Sequence, residues 1–315
     1  MDTEHTAGTA IAFPGISPCP FPDVAKFMLI NPVARRLVAQ ADAALGYSLI
    51  QRYRTAEGDF SEYERVAFLV NCLALARWAE EDLGVESDAC VGPSFGGIPA
   101  AVHAGSLDFA DAVVLTARWG HRLDAYFAEC HGDVATQSFA RTPREALDEI
   151  LAELTELGEW HELACHVDED FFMLSLRKRR LDWLKERLRS VGGLPLYTMR
   201  PPMHASAFGP LRDDIERTLV SGLAFTAPRI PLVSDHDGSV LTTGDEVRTM
   251  VLDGIVRPVR WPTALETLKR LGVGRLYISG PDGLWGRVRC AQENFDVVPL
   301  KPATALRPRR QTAAA

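Results

Sequence analysis

The run Gly92-Pro93-Ser94-Phe95-Gly96-Gly97 sets a hydroxyl among glycines, directly after a short apolar segment ending at Val91 and before small residues that open a helix near Ile98. A serine is a weak nucleophile at neutral pH. To do acyl chemistry it needs a sharp turn that lifts its hydroxyl clear of the sheet and a base that takes its proton. The glycines permit the turn, and the strand-turn-helix spacing of G-x-S-x-G aims the next backbone N–H, that of Phe95, where a tetrahedral oxyanion would form. Spacing alone does not choose the base among the eight histidines, and glycine-rich turns also follow strands that carry no chemistry.

The elements that must position Ser94 read as an α/β fold. From Phe13 to about Gly120, and again from about Ala205 to Leu300, short apolar runs bounded by Gly, Pro and Asp alternate with helical patterns. Between them the pattern changes to strand (VATQSFA), helix (PREALDEILAELTEL), strand (HELACHV into FFMLSL), helix (RRLDWLKERLRSV) and strand (LPLYTM), which predicts a small ferredoxin-like insert. The expected division is a large core over 1–132, the small subdomain over 133–202, and the second part of the core with a loose tail over 203–315.

Composition narrows the functional classes. A chain of 315 residues, 47% hydrophobic, buries a sizeable core. Its longest apolar runs, such as VAFLVNCLALA from Val66, are too short and interrupted to span a bilayer, and no basic and then apolar export signal is visible. The net charge of −8 argues against a nucleic-acid partner. The six cysteines lack paired or CxxC spacing, which fits free thiols in the cytoplasm and neither a disulfide framework nor a zinc site.

The segment GPSFGGIPAAVHAGSLDFADAVVLTARWG resembles the active-site segment of malonyl-CoA:acyl-carrier-protein transacylases and of polyketide synthase acyltransferase domains. AFPG near the start is similar to that family's FPGQG, PPMHASAF to the stretch carrying its histidine, RPVRW to its NPVQW, and YISGPDG to a late glycine-proline turn. The resemblance covers nearly the whole chain and implies a hydrolase-like α/β core with a ferredoxin-like subdomain. It also implies Ser94 as nucleophile, His204 as general base, backbone N–H groups of Ile16 and Phe95 as the oxyanion hole, and a main-chain carbonyl around Arg260 orienting the histidine. The reaction it implies is ping-pong transfer of an acyl group through an acyl-serine, without metal or bound cofactor. The acyl group travels on the phosphopantetheine arm of an acyl carrier protein, or on CoA.

The departures bear on specificity. Malonyl-using members of that family carry, after the elbow helix, an arginine immediately before a glycine that pairs with the malonyl carboxylate. Here that position holds Trp119, with Arg118 one residue earlier. One residue on a helix is about 100° of rotation, which turns Arg118 away from the pocket. Removing one partner of a buried ion pair costs about 3–5 kcal/mol, so malonyl is expected to be a poor substrate. Pro93, Ile16 and Gly97 replace polar family residues near the serine, and Arg65 stands where the family often has a pocket glutamine. Arg65, Pro93, Arg118 and Trp119 are thus the candidate substrate-binding residues. The set resembles discrete acyltransferases of macrolactam pathways, which implies an aminoacyl or peptidyl starter moved between carrier proteins. A malonyl-CoA:acyl carrier protein transacylase and an acyl-carrier thioester hydrolase stay open as alternatives. Carrier proteins are acidic, and the basic run Arg177, Lys178, Arg179 and Arg180 is the expected docking surface.

Overall fold

A computed structural model describes residues 7–57, 60–199 and 201–307. Eleven strands, numbered in chain order, fall into two sheets: β1 (Gly8–Ala12), β2 (Ala89–Val91), β3 (Val134–Ala140), β4 (His161–Asp168), β5 (Phe171–Arg177), β6 (Leu194–Met199), β7 (Leu232–Val233), β8 (Val240–Leu241), β9 (Val259–Arg260), β10 (Val273–Ser279) and β11 (Asp296–Leu300). The larger sheet runs β11-β10-β1-β2-β7-β8 and is parallel except for the β7–β8 pair. β1 and β2 read AIA and ACV and are buried, as strands covered on both faces of a parallel sheet must be. Both deliver the chain to the same end of the sheet, where the loops that follow them meet. That is where an open α/β sheet places a ligand site.

One face of this sheet packs on the helix Glu62–Leu83, apolar on nearly all sides and buried along most of its length. The helix Phe109–Glu129 lies beside it. These two helices wall the cavity described below. Glu64, buried in the first turn of the longer one, accepts the backbone N–H of Cys19 at 2.6 Å and also that of Phe60, tying down the loop that follows β1.

The insert is β3, the helix Arg144–Glu156, β4, β5, the helix Leu181–Ser190 and β6. Its strand order β6-β3-β5-β4, all antiparallel, is that of a ferredoxin-like unit, so the fold expected from the sequence is the fold found. The segment read as one strand, HELACHV into FFMLSL, is two strands joined at Glu169 and Asp170. The turn is only two residues long, and the apolar residues on either side of its acidic run make the two strands read as one. The insert has its own core, including Phe139, Leu147, Phe172 and Leu184. It is stitched to the large sheet's other face because β9 pairs parallel with β4. Asp168 also accepts the N–H groups of Arg289 at 2.7 Å and Cys290 at 3.3 Å, capping the short helix Arg289–Gln292.

Candidate active site

Ser94 follows β2 at φ +56°, in the left-handed region that a residue with a β-carbon enters only at a cost. Two close approaches force the turn. A β-carbon on Gly92 would overlap the Gly96 carbonyl, and one on Gly96 would overlap the Phe13 carbonyl, so the elbow closes only with glycine at both positions. The helix Gly97–His103 starts at once after it. The turn is also held from outside: the Ser94 N–H donates to Oδ2 of Asp235 at 2.7 Å, and Asp235 is itself buried, with 2% of its surface exposed.

His204 is the histidine that meets the serine, its Nε2 2.8 Å from Ser94 Oγ. It too has a positive φ, +65°, and its backbone N–H is pinned to the Ile255 carbonyl at 2.9 Å. Two left-handed non-glycine residues in direct contact mark a constellation that the surrounding structure holds against local preference. Burial, and then the neighbouring His236, push the His204 ring down to about 3, against a weaker upward pull from the carbonyls of Arg257 and Gly254. At neutral pH the imidazole is therefore uncharged and accepts the serine proton at Nε2. Nδ1 is buried, and neither carbonyl closes a hydrogen bond of ordinary geometry to it.

This corrects one expectation. The carbonyls that approach His204 are those of Arg257, the first residue of the RPVRW stretch, and Gly254, and not that of Arg260. Arg260 lies in β9, where its N–H donates to the Asp235 carbonyl at 2.7 Å and it pairs in register with His166.

Ser94 and His204 open into a cavity lined by Ile16, Phe95, Ile98, Trp119, Leu123 and Met203, among other mostly apolar residues. The backbone N–H groups of Ile16 and Phe95 have no hydrogen bond to a loop or side-chain acceptor among the described residues, as free oxyanion donors require. Trp119 faces the cavity. Arg118 is exposed and does not line it, so it is not among the substrate-contacting residues. Pro93 is buried beneath the elbow and does not line it either. Arg65 does line it, with only 7% of its surface exposed.

The basic run of the insert is engaged internally. Arg177 bonds both carboxylate oxygens of Asp133 at 2.8 Å, Lys178 donates to the Gly132 carbonyl, and Arg179 and Arg180 converge on Glu159 at 2.9 and 2.8 Å. Two carboxylates thus face four cations, which leaves the run with an excess of positive charge, and none of the four lines the cavity.

Sequence reasoning missed Asp235 and Thr116. Thr116 and Leu123 lie at i−3 and i+4 from Trp119 and share its face, so helical spacing could have found them. Asp235 had no comparable signal; it sits in a loop after β7, 141 residues from the Ser94 N–H it accepts.

Known proteins share the fold and resemble this chain over much of its sequence. Residues 138–199 match the family described as the VinK acyltransferase small domain. The malonyl CoA-acyl carrier protein transacylase of Escherichia coli K12 is 26% identical over 286 residues, covering 86% of this chain and 88% of that protein. The acyltransferase domain from the second module of the salinomycin polyketide synthase superposes with a TM-score of 0.79 at 26% identity, over 93% of this chain and 69% of that one. The fold is also that of a malonyl-transacylase solved with its type II polyketide synthase acyl-carrier protein, PlMCAT with AntF. There the TM-score is 0.83 at 22% identity, over 95% of this chain and 99% of that one.

Proposed function

We propose that the chain, which is similar to the malonyl-CoA:acyl carrier protein transacylases over most of its length, moves an acyl group between carrier-protein thioesters through an acyl ester on Ser94. The observation that carries this is the 2.8 Å contact between Ser94 Oγ and an uncharged, buried His204 at the mouth of a mostly apolar cavity. As Oγ attacks the thioester carbonyl, Nε2 of His204 takes its proton. The N–H groups of Ile16 and Phe95 hold the oxyanion, and collapse of the tetrahedral adduct breaks the C–S bond, with His204 returning the proton to the departing thiol. A second pantetheine thiol then gives its proton to His204, attacks the ester and leaves with the acyl group, restoring the serine. The carrier protein brings both thiols, and the six unpaired cysteines support a cytoplasmic setting.

The acyl group we propose is not malonyl but a starter such as an aminoacyl or peptidyl chain. Trp119 supports this: an indole at the place of the malonyl-binding arginine would bury a short dicarboxylate's charge against an apolar face. Intact-mass measurement after exposure to malonyl-CoA and to monocarboxylic, aminoacyl and peptidyl thioesters on CoA and carrier protein tests both levels. Acyl-Ser94 is expected to form from the non-malonyl donors faster than from malonyl-CoA, and Ser94→Ala to stay unmodified. An acyl-bearing, turning-over Ser94→Ala protein refutes the mechanism, and equal loading from malonyl-CoA refutes the specificity.

A further inference from the structure

The wall of the cavity formed by the helices Glu62–Leu83 and Phe109–Glu129 contains two polar side chains that each bury an atom without a hydrogen-bond partner among the described residues. Arg65 is nine-tenths buried and its Nη1 has no hydrogen-bond partner among the described residues. Its Nη2 reaches Oδ1 of Asp124 only at 3.5 Å, the outer limit of a hydrogen bond, and Asp124 is 65% exposed to water. Thr116 is 1% exposed and its hydroxyl is likewise unpartnered. Both residues line the cavity.

The sequence brings the two together. Thr116 and Gly120 are four apart on one helix and so lie on the same face, one turn from each other. The Arg65 guanidinium from the neighbouring helix lies over Gly120, so closely that a β-carbon there would sit 2.5 Å from Nη1 and 3.2 Å from Cζ. Gly120 thus leaves the room that Arg65 occupies between the two helices, and Arg65 and Trp119 both line the cavity. A buried donor and a buried hydroxyl left unpaired are costly unless a ligand satisfies them.

We propose that Arg65 and Thr116 are the receptor for a hydrogen-bond-accepting oxygen on the acyl chain, beyond the thioester. This rests on the acyltransferase reading above and sharpens its substrate class. The acyl group carries either a carboxylate, which accepts from both Nη1–H and the threonine hydroxyl, or an amide, whose carbonyl accepts from Arg65 while its N–H donates to Thr116. A free ammonium placed against Arg65 is disfavoured, because Arg65 is already a cation and the carboxylate it reaches, Asp124, faces solvent; of the starters proposed above, a peptidyl chain with an internal amide therefore fits better than an aminoacyl chain whose ammonium meets Arg65.

The test compares four pantetheine thioesters of similar length: succinyl, succinamyl, 4-methylpentanoyl and 4-aminobutyryl. The readout is the rate of acyl-Ser94 formation by intact mass, with Arg65→Met, Arg65→Lys and Thr116→Val alongside the unmodified protein. The unmodified protein is expected to load succinyl or succinamyl about tenfold or more faster than the apolar isostere, the usual value of a hydrogen bond to a charged group. 4-Aminobutyryl is expected to be slowest. Arg65→Met should bring the ratio to 4-methylpentanoyl close to one, Arg65→Lys should restore part of it, and Thr116→Val should reduce it. Succinyl outrunning succinamyl assigns a carboxylate; the reverse order assigns an amide. A ratio near one in the unmodified protein, or a ratio unchanged in folded Arg65→Met and Thr116→Val, overturns the receptor while leaving the acyltransferase standing. Absence of acyl-Ser94 from all four thioesters and from the carrier-bound donors above removes the acyltransferase reading itself, and the receptor with it.

Discussion

The carboxylate of Asp235 holds the nucleophile from behind, and its removal tests whether the elbow needs that support. Ser94 occupies φ +56°, a conformation that costs a non-glycine residue roughly 1–2 kcal/mol. Against this, the Ser94 N–H donates to a buried carboxylate oxygen at 2.7 Å, an interaction with a charged group worth about 1.5–3 kcal/mol. The hydrogen bond thus outweighs or matches the strain, and without it Ser94 is free to relax toward ordinary φ and carry Oγ away from His204. Asp235→Ala is therefore expected to slow acyl-Ser94 formation by about 10- to 150-fold, the same energy expressed as a rate. Asp235→Asn, which keeps an oxygen acceptor at the same place, should stay within about tenfold of the unmodified rate. Single-turnover mixing with a thioester donor, followed by intact mass at timed quenches, reads the step directly and circular dichroism verifies the fold. An Asp235→Ala protein that acylates at the unmodified rate refutes the idea that the elbow is held from outside. If Asp235→Asn is as slow as Asp235→Ala, the negative charge is required, not the acceptor.

The two elbow glycines after Ser94 are not equivalent. Gly96→Ala should cut acylation by about 5- to 150-fold, because overpacking against the Phe13 carbonyl costs about 1–3 kcal/mol, whereas at Gly97 an added β-carbon meets Met250 Cε at 3.5 Å and the Gly92 carbonyl oxygen at 3.6 Å, both ordinary contacts, and the loss should be far smaller. Glu159→Gln unpairs Arg179 and Arg180 and should lower Tm while changing the carrier-protein and small-thioester rates in equal proportion; a KM increase confined to the carrier protein would return those arginines to a docking role. With burial lowering His204 to about 3, the acid limb of acylation should lie far below the ordinary histidine value near 6.5, and His236→Leu should move it upward; a limb at 6.5 in the pH–rate profile contradicts this. The same depression has a sign for stability. The unfolded chain binds a proton at His204 between pH 6.5 and about 3 that the folded chain does not, so this histidine makes stability fall as pH drops through that window, measurable by denaturant titration.

How much of this could be read from the residues follows from the range of each interaction. The fold was legible because alternating apolar runs and helical periods are local, and the ferredoxin-like insert stood out where the pattern changed. The dyad was legible only through resemblance: Ser94 advertises itself by its glycines, but nothing near His204 distinguishes it from seven other histidines. The motif around Arg260 located the right loop and the wrong carbonyl, since which oxygen faces Nδ1 depends on how the chain turns between Gly254 and β9. The internal partners of the basic run were hidden for a similar reason. Asp133 and Glu159, which pair with three of its four cations, are 20 to 44 residues away in sequence and adjacent only once the insert folds.

The acyl pocket shows the same division between local and non-local information. Rotation along the helix Phe109–Glu129 was enough to turn Arg118 outward and Trp119 inward, a local argument that needs no partner helix. Taken alone it describes a pocket that has lost its cation. The neighbouring helix changes that picture, because Gly120, next in sequence to Trp119, leaves room for Arg65 to enter from the other side. An exchange of this kind conserves a positive charge in the cavity while moving it to a different wall, beside an indole and a threonine. A cation so placed addresses a different atom of the acyl chain from the one a side chain at position 119 would address. Specificity then depends on where along the chain an oxygen falls, and the presence of a terminal carboxylate does not by itself decide it.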